Sequence, residues 1–500
     1  MRKLCLAAAL SLGALSALPA LAFEHFITRD GHRLMDGDHE FRFAGIHAPE
    51  LHRIEDDARG VCEADPRGWG QYFKWPTADE QENWIKSLVY SGHKAMRVYV
   101  LSVATPWDAA CERETHILPP ATPGAMPRLN EAAMVHYDRM IALADKHGLR
   151  LILPFIDHWK WWGGREQLAA FYDEPETALH DLNSKTYAAY LHIIEQVITR
   201  KNTLTGREYR DEKAIMAWET GNELKESTPE FVQKTAAFVK SLDQNHLFVD
   251  GTYLSILASS LEDPNVDIIS NHFYTTNNNN DPEQVWKDLR AIDARKVYLI
   301  GEFGLKDAAG LDAIMQTAVT ATHKGARAAG AFIWGWRGHR HDGGFYWHKE
   351  YTGHYSYRLP GFPEAEANEE QAVVDLVRKA QAQMAGLSQV PSLPVPEAPK
   401  LRDIADPAKA INWMGAPLAS TYRIERATSE KGPWKTLADK VSDGMLEFNP
   451  AEQALFADSS KLKAGRAYFY RVYARNESGE SPPSNVVKAV ACGKKSCAGQ

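Results

Sequence analysis

Cysteine is scarce in this chain, five among 500 residues. That density excludes a small disulfide scaffold, which crowds cysteines into a short sequence. Long apolar runs are also missing. After Leu4–Leu18 no stretch reaches the roughly 18 apolar residues that mark a membrane-spanning helix, so no membrane partner is expected. Basic charge is not in excess: 57 Lys and Arg stand against 65 Asp and Glu, for a net charge of −8. This is the wrong sign for a general nucleic-acid binder, which needs a positive field to meet phosphates. No Gly-rich phosphate loop follows an early strand, which argues against a doubly wound nucleotide-binding sheet.

What the chain has is aromatic residues, 14 Trp and 19 Tyr, whose flat apolar faces suit a core and also suit sugar rings. It also has a leader. Arg2 and Lys3 precede the apolar run, and Ala20-Leu21-Ala22 forms a small-x-small cleavage site. Residues 1–22 therefore read as a secretory signal peptide, and the mature protein is expected outside the cytoplasm, extracellular or periplasmic. Cys5 leaves with it. The remaining Cys62, Cys111, Cys492 and Cys497 allow three pairings, of which the simplest is Cys62–Cys111 and Cys492–Cys497 in an oxidising compartment. The spacing is poor for zinc.

Eight short apolar runs alternate with helical patterns: Phe41–Ala48, Ala95–Leu101, Arg150–Asp157, Ile215–Glu223, Leu247–Asp250, Val266–Tyr274, Val297–Gly304 and Gly330–Arg337. Amphipathic stretches such as Asn130–His147, Ser184–Lys201, Pro229–Leu242, Pro282–Ala294 and Leu311–Lys324 lie between them. Near-continuous apolar strands joined by crossover helices imply a parallel sheet covered on its outside. Eight such units predict an α/β fold, a (β/α)8 TIM barrel over residues 23–385. Several runs end in polar or aromatic residues: Arg97, Asp157-His158-Trp159, Asn222-Glu223, His272 with Tyr274, Glu302, and Trp334 with Trp336. In a barrel all strand C-termini open on one face, where the active site sits. Residues 386–399 hold four prolines and read as a semi-rigid linker. Beyond them the pattern turns to period two, predicting a small all-β sandwich over 400–491 and a cysteine-containing tail over 492–500.

Two runs end in glutamate, Ile215–Glu223 and Val297–Gly304 with Glu302. An unpaired carboxylate at the end of an apolar strand costs free energy. Two of them, on the fourth and seventh strands, would face each other across the barrel mouth. Paired carboxylates are the machinery of glycoside cleavage, one kept protonated and the other ionised. Both together in a secreted chain make Glu223 and Glu302 the expected catalytic pair.

These motifs resemble family 5 glycoside hydrolases. Asn222-Glu223 and Gly301-Glu302-Phe303-Gly304 match that clan's two strand ends. The segment Ile198–Glu223, together with Trp159-Lys160-Trp161-Trp162-Gly163-Gly164 and Phe171-Tyr172, is similar to the family's β-mannanase branch. The resemblance implies a retaining mechanism without a cofactor or metal. Glu302 would be the nucleophile and Glu223 the acid/base. Asn222 would bond the sugar 2-hydroxyl. Arg97 and Tyr274 would hold Glu302 ionised. His272 would touch substrate or acid/base, and Trp334 would floor the reacting sugar. Trp159 and Trp162 are candidate stacking surfaces. The chain departs from the branch at Asp157-His158, at Leu224 after the acid/base, and in the loop Gly338–His348. That loop carries His339, His341 and His348 at irregular spacing and reads as substrate-shaping, with no metal expected. Similarly, Tyr468–Asn476, Gly479 and Ser481-Pro482-Pro483-Ser484 resemble the last two strands of a fibronectin type III domain, with Trp413 and Tyr422 in its core and Tyr468 as its corner tyrosine. The expectation is a secreted, monomeric hydrolase of β-1,4-mannan or a related β-mannoside. The alternatives are a β-1,4-glucanase, an exo-acting β-mannosidase, or a non-catalytic carbohydrate-binding protein.

Overall fold

The computed structural model describes residues 23–67 and 71–492. The expected signal peptide, Cys497 and hence the second expected disulfide lie outside the described residues. All eight apolar runs form strands: β1 (Phe43–His47), β2 (Ala95–Arg97), β3 (Arg150–Pro154), β4 (Ile215–Glu219), β5 (Leu247–Asp250), β6 (Ile268–Phe273), β7 (Val297–Gly304) and β8 (Ala328–Trp334). Every residue of these strands is buried, as parallel strands covered on both faces require. They pair in parallel in the order β1-β8-β7-β6-β5-β4-β3-β2. Just past the ends of β1 and β2, the Tyr99 amide donates to the Pro49 carbonyl at 3.1 Å, so the sheet comes round to a nearly closed barrel.

A helix follows each strand: α1 (Ala78–Tyr90), α2 (Glu131–His147), α3 (Lys185–Ile198), α4 (Pro229–Leu242), α5 (Ala258–Glu262), α6 (Pro282–Ile292), α7 (Ala308–Thr320) and α8 (Glu370–Met384). Their starts are written in the sequence. Thr77 and Glu80 form a capping box, Ser184 and Asp307 cap α3 and α7, and Pro229 and Pro282 follow the capping Thr228 and Asp281.

Several strands stop short of their apolar runs at the cleft end: β2 ends at Arg97, β3 at Pro154 and β4 at Glu219, although the runs continue to Leu101, Asp157 and Glu223. The physical reason is the site itself. Beyond Glu219 the chain leaves the ladder, and Glu223 sits at φ 52, a left-handed conformation that costs a non-glycine residue energy.

The family-like segment before β4 makes a knot beneath the barrel. Arg200 donates to both oxygens of Asp138 at 2.9 and 3.0 Å, and Asn202 and Thr203 bond the same residue. Its recognisable pattern is therefore structural and does not line the cleft. Cys62 and Cys111 form a disulfide between the loops after β1 and β2.

A second core gathers C-terminal residues, including Ile411, Trp413, Tyr422, Ile424, Tyr470 and Val472. Strands β9 (Lys400–Leu401) and β10 (Trp413–Met414) pair, while β11 (Thr421–Ala427), β12 (Lys435–Val441), β13 (Ala467–Asn476), β14 (Gly479–Glu480) and β15 (Val487–Val490) form an antiparallel sheet. Side chains of β13 alternate between buried and half-buried, the period-two pattern of the sequence. The Tyr468 hydroxyl accepts from the Lys463 amide at 3.0 Å. This unit is docked onto the barrel. Arg358 donates to the Gly444 carbonyl at 2.7 Å, Asn83 to the Gly415 carbonyl at 2.8 Å, and His339 faces Asp443 at 3.3 Å.

Candidate active site

The C-terminal ends of the strands open into a cleft of about 690 Å³, lined by Tyr99, Trp159, Trp161, Tyr253, Trp334 and Tyr351 around Glu223 and Glu302. The ladder between β6 and β7 sets its geometry. Asn271 is opposite Ile300, yet His272 is opposite Glu302, so Gly301 is an extra residue in β7. A side chain there would meet Ser270 Oγ at 2.5 Å and His272 Nε2 at 2.7 Å, and only glycine fits. Such a bulge re-aims the residues beyond it, and here it turns Glu302 and His272 into the cleft.

One oxygen of Glu223, one of Glu302 and a ring nitrogen of His272 lie within 4.8 Å of one another. Glu302 is held by Arg97 Nη1 at 2.6 Å and by the Tyr274 hydroxyl at 2.7 Å. Glu223 accepts from the Trp159 indole at 2.6 Å and sits 2.9 Å from His272 Nδ1. Asn222 is pinned at both ends of its amide. Its oxygen accepts from Arg97 at 3.0 Å, and its nitrogen donates to Asp157 at 2.9 Å and to the Tyr99 hydroxyl at 3.2 Å.

Burial penalises charge throughout the cleft. It raises the Glu223 carboxyl to about 7, against the opposing pull of the Trp159 indole, Arg97 and Lys225. It raises Glu302 as well, and the Glu223 carboxylate adds to the rise, but there Arg97 and the Tyr274 hydroxyl oppose it. Burial drops His272 to about 4, so its ring is neutral at neutral pH. Arg97 keeps its proton against burial because Glu219 and Glu302 flank it and hold its pKa above the ordinary value. The two carboxyls therefore sit in unequal fields, Glu302 against the guanidinium and Glu223 against an indole.

Arg97, Trp159, Asn222, His272, Tyr274 and Trp334 all stand at this cleft or in direct contact with its carboxylates. Trp162 does not. It is buried behind the wall, edge-on to His52, Phe73 and Tyr99, and this corrects its reading as a stacking surface. Its neighbour Trp161 lines the cleft instead and donates to the Tyr99 hydroxyl at 3.0 Å. Within a run of three tryptophans, only the loop path decides which one faces out. Glu219 was not singled out from the sequence. Fully buried, it takes two bonds from Arg97, at 2.7 and 2.9 Å, and fixes the guanidinium that reaches Glu302. Its position four residues before Glu223, pointing inward from the same strand, was the available signal. Lys225, over the Trp159 ring at 4.6 Å, and the segment His348–Tyr351 also line the cleft unforeseen.

Residues 80–302 match the family model described as GH family 5 beta-mannosidase-like. That stretch runs from the start of α1 to Glu302 and so includes both cleft glutamates. Mannan endo-1,4-beta-mannosidase F of Aspergillus clavatus is 30% identical over 34% of this chain and 44% of its own length. Mannan endo-1,4-beta-mannosidase 1 of Solanum lycopersicum is 29% identical over 39% of this chain and 62% of its own. The chain thus spans about half the length of the curated relatives it matches. Among solved structures, the endo-beta-1,4-mannanase from Thermotoga petrophila superposes with a TM-score of 0.56, covering 91% of this chain and 99% of that one. At 16% identity this likeness concerns the fold, and it agrees with the barrel described above. Among the described residues no helix is long and apolar enough to cross a membrane.

Proposed function

We propose that this protein is a retaining glycoside hydrolase that cleaves β-1,4-mannosidic bonds of mannan-type polysaccharide or oligosaccharide by double displacement. The observation that carries the proposal is the Glu223–Glu302 pair. Its carboxylate oxygens approach within 4.8 Å, in unequal surroundings. Carboxyls about 5–5.5 Å apart suit a retaining enzyme, because a pair spaced for inversion leaves room for a water. The Glu302 carboxylate, oriented by Arg97 and Tyr274, attacks the anomeric carbon. Glu223, protonated through burial, gives its proton to the leaving glycosidic oxygen as that bond breaks. Ionised Glu223 then takes a proton from water, whose oxygen bonds the same carbon and releases Glu302. Asn222, held on both sides, meets the 2-hydroxyl, and Trp334 floors the sugar.

The substrate assignment rests on the family match and on relatives named as mannanases. The leader at residues 1–22 and the Cys62–Cys111 disulfide support secretion. For organisation we propose a barrel over 23–385, a linker over 386–399 and a fibronectin type III-like sandwich over 400–491. The corner-tyrosine bond of Tyr468 and the inward Trp413 and Tyr422 support that last reading.

Hydrolysis of linear mannan is expected in the wild type and is expected to be lost in both Glu223→Ala and Glu302→Ala. Azide should rescue Glu302→Gly with inverted anomeric configuration in the product, read by NMR. Hydrolysis that survives Glu302→Ala would remove the assigned nucleophile. Product profiles on mannan, galactomannan, glucomannan and cellulose separate endo-mannanase, exo-mannosidase and glucanase action.

A further inference from the structure

Beside the cleft, and outside the chemistry assigned to Glu223 and Glu302, three side chains from distant parts of the chain converge. Glu55 comes from a short strand (Ile54–Glu55), Asp57 from the single-turn helix after it (Asp57–Arg59), and His348 from the loop after β8. One donor atom from each lies within 4.8 Å of the others. His348 Nδ1 is 2.8 Å from Asp57 Oδ2 and 3.9 Å from Glu55 Oε2.

Glu55 makes this more than an acidic cluster. It is 1% exposed, and neither carboxylate oxygen has a hydrogen-bond partner. Ionised, it leaves both oxygens desolvated and unbonded. Protonated, its hydroxyl has no acceptor. Neither state satisfies a buried carboxyl. The nearby guanidinium of Arg337 lies 3.1 Å from Glu50 and makes no hydrogen bond to Glu55. Glu50, Glu55, Asp57 and Glu350 bring four acids to this corner, and Arg337 is the one arginine among them.

We propose that Glu55, Asp57 and His348 bind a divalent first-row transition cation. The donor set of one imidazole nitrogen and two carboxylates suits zinc or its neighbours, whereas calcium and magnesium take oxygen alone. The surroundings of His348 agree with ligation through Nδ1. Its other nitrogen, Nε2, faces Glu350 Oε1 at 3.4 Å, the arrangement in which a carboxylate fixes the tautomer of a ligating histidine. The same Glu350 oxygen accepts from the Trp334 indole at 2.6 Å. A cation here ties the loop after β1 to the loop after β8 and steadies the cleft floor through Glu350. Of the three histidines in Gly338–His348 only His348 takes part. His339 faces Asn83 and Asp443, and His341 accepts from Arg402. The ligands came from two separate loops, which sequence spacing does not reveal.

The test uses the full-length secreted chain, stripped with chelator, loaded with Zn2+ or Co2+ and dialysed. The expected result is about one ion retained per chain, a raised unfolding midpoint on loading, and a Co2+ absorption band of low-coordinate geometry. Retention should be lost in Asp57→Asn and in His348→Gln, with Glu55→Gln carrying the comparison if His348→Gln fails to fold. Glu302→Gln, which alters the separate Glu223–His272–Glu302 group, should retain the ion. No retained metal in the wild type would overturn the proposal. So would retention that persists in the Asp57 and His348 variants, or a loss caused by Glu302→Gln.

Discussion

Glu223 and Glu302 are the same residue type at two buried strand ends, and what separates them is the company each keeps. The guanidinium and phenol at Glu302 favour a carboxylate. The indole at Glu223 is a single neutral donor. Trp159→Phe removes that donor and keeps the ring. The indole bond favours ionised Glu223, so its loss raises the carboxyl above about 7. Because the proposed general acid works protonated, the alkaline limb of the kcat/KM profile should move up by about one pH unit. An unmoved limb would separate Trp159 from the acid. Stability carries the opposite signature. A carboxyl raised to about 7 in the fold, from about 4.5 unfolded, binds a proton more tightly when folded. Its contribution is full below about 4.5 and is lost as pH rises through 7. Glu223→Gln escapes that loss. Its unfolding free energy should exceed the wild type's by roughly 3 kcal/mol at pH 8, and the gain should vanish at pH 4, as read by denaturant titration at both values.

At the scale of elements, legibility followed burial. The eight barrel strands are buried on both faces and therefore appear as apolar runs in the sequence, and the capped helices between them announce their starts. The strand ends were legible only as residue types. That Gly301 is a bulge, that Glu223 takes a left-handed turn, and that Trp161 instead of Trp162 faces the cleft depend on register and loop path, which no periodicity encodes. Glu219 was hidden for a related reason: an inward acid within an apolar strand reads the same whether it binds substrate or an arginine. The Cys62–Cys111 bridge, by contrast, was the simplest of the three pairings that counting left open. It spans 49 residues, including α1 and β2. Closing a loop of that length restrains the unfolded chain by about 4 kcal/mol in the entropic model. Cys62→Ala with Cys111→Ala should therefore lower the unfolding midpoint by several degrees. Reduction by dithiothreitol should lower the midpoint of the wild type by more than that of the double variant.

On the scale of the whole molecule, the C-terminal unit and the cleft share one loop. The segment from Gly338 to Phe362 carries His348 and Glu350 on its cleft side, and Phe345, Arg358 and Phe362 toward the second core. Phe362 is 1% exposed and packs where a side chain on Gly444 would have to stand. Gly344 likewise lies against Phe448, and Arg358 is bonded both to Glu370 on α8 and to the Gly444 carbonyl. A unit hung on a linker as a passive spacer needs no such fit. The contacts make it a brace for the loop whose other face supports Trp334 through Glu350. Gly444→Leu tests this at a distance from the chemistry. The leucine overlaps Phe362, and overpacking of this kind typically costs about 1–3 kcal/mol. If the C-terminal unit braces the cleft, the variant should show a raised KM for mannan oligosaccharides with kcat nearly kept, because the proposed catalytic pair, Glu302 on β7 and Glu223 just past β4, stays in place while the wall that would hold the sugar shifts. If the two units act independently, the unfolding midpoint alone should fall and KM should stay at the wild-type value.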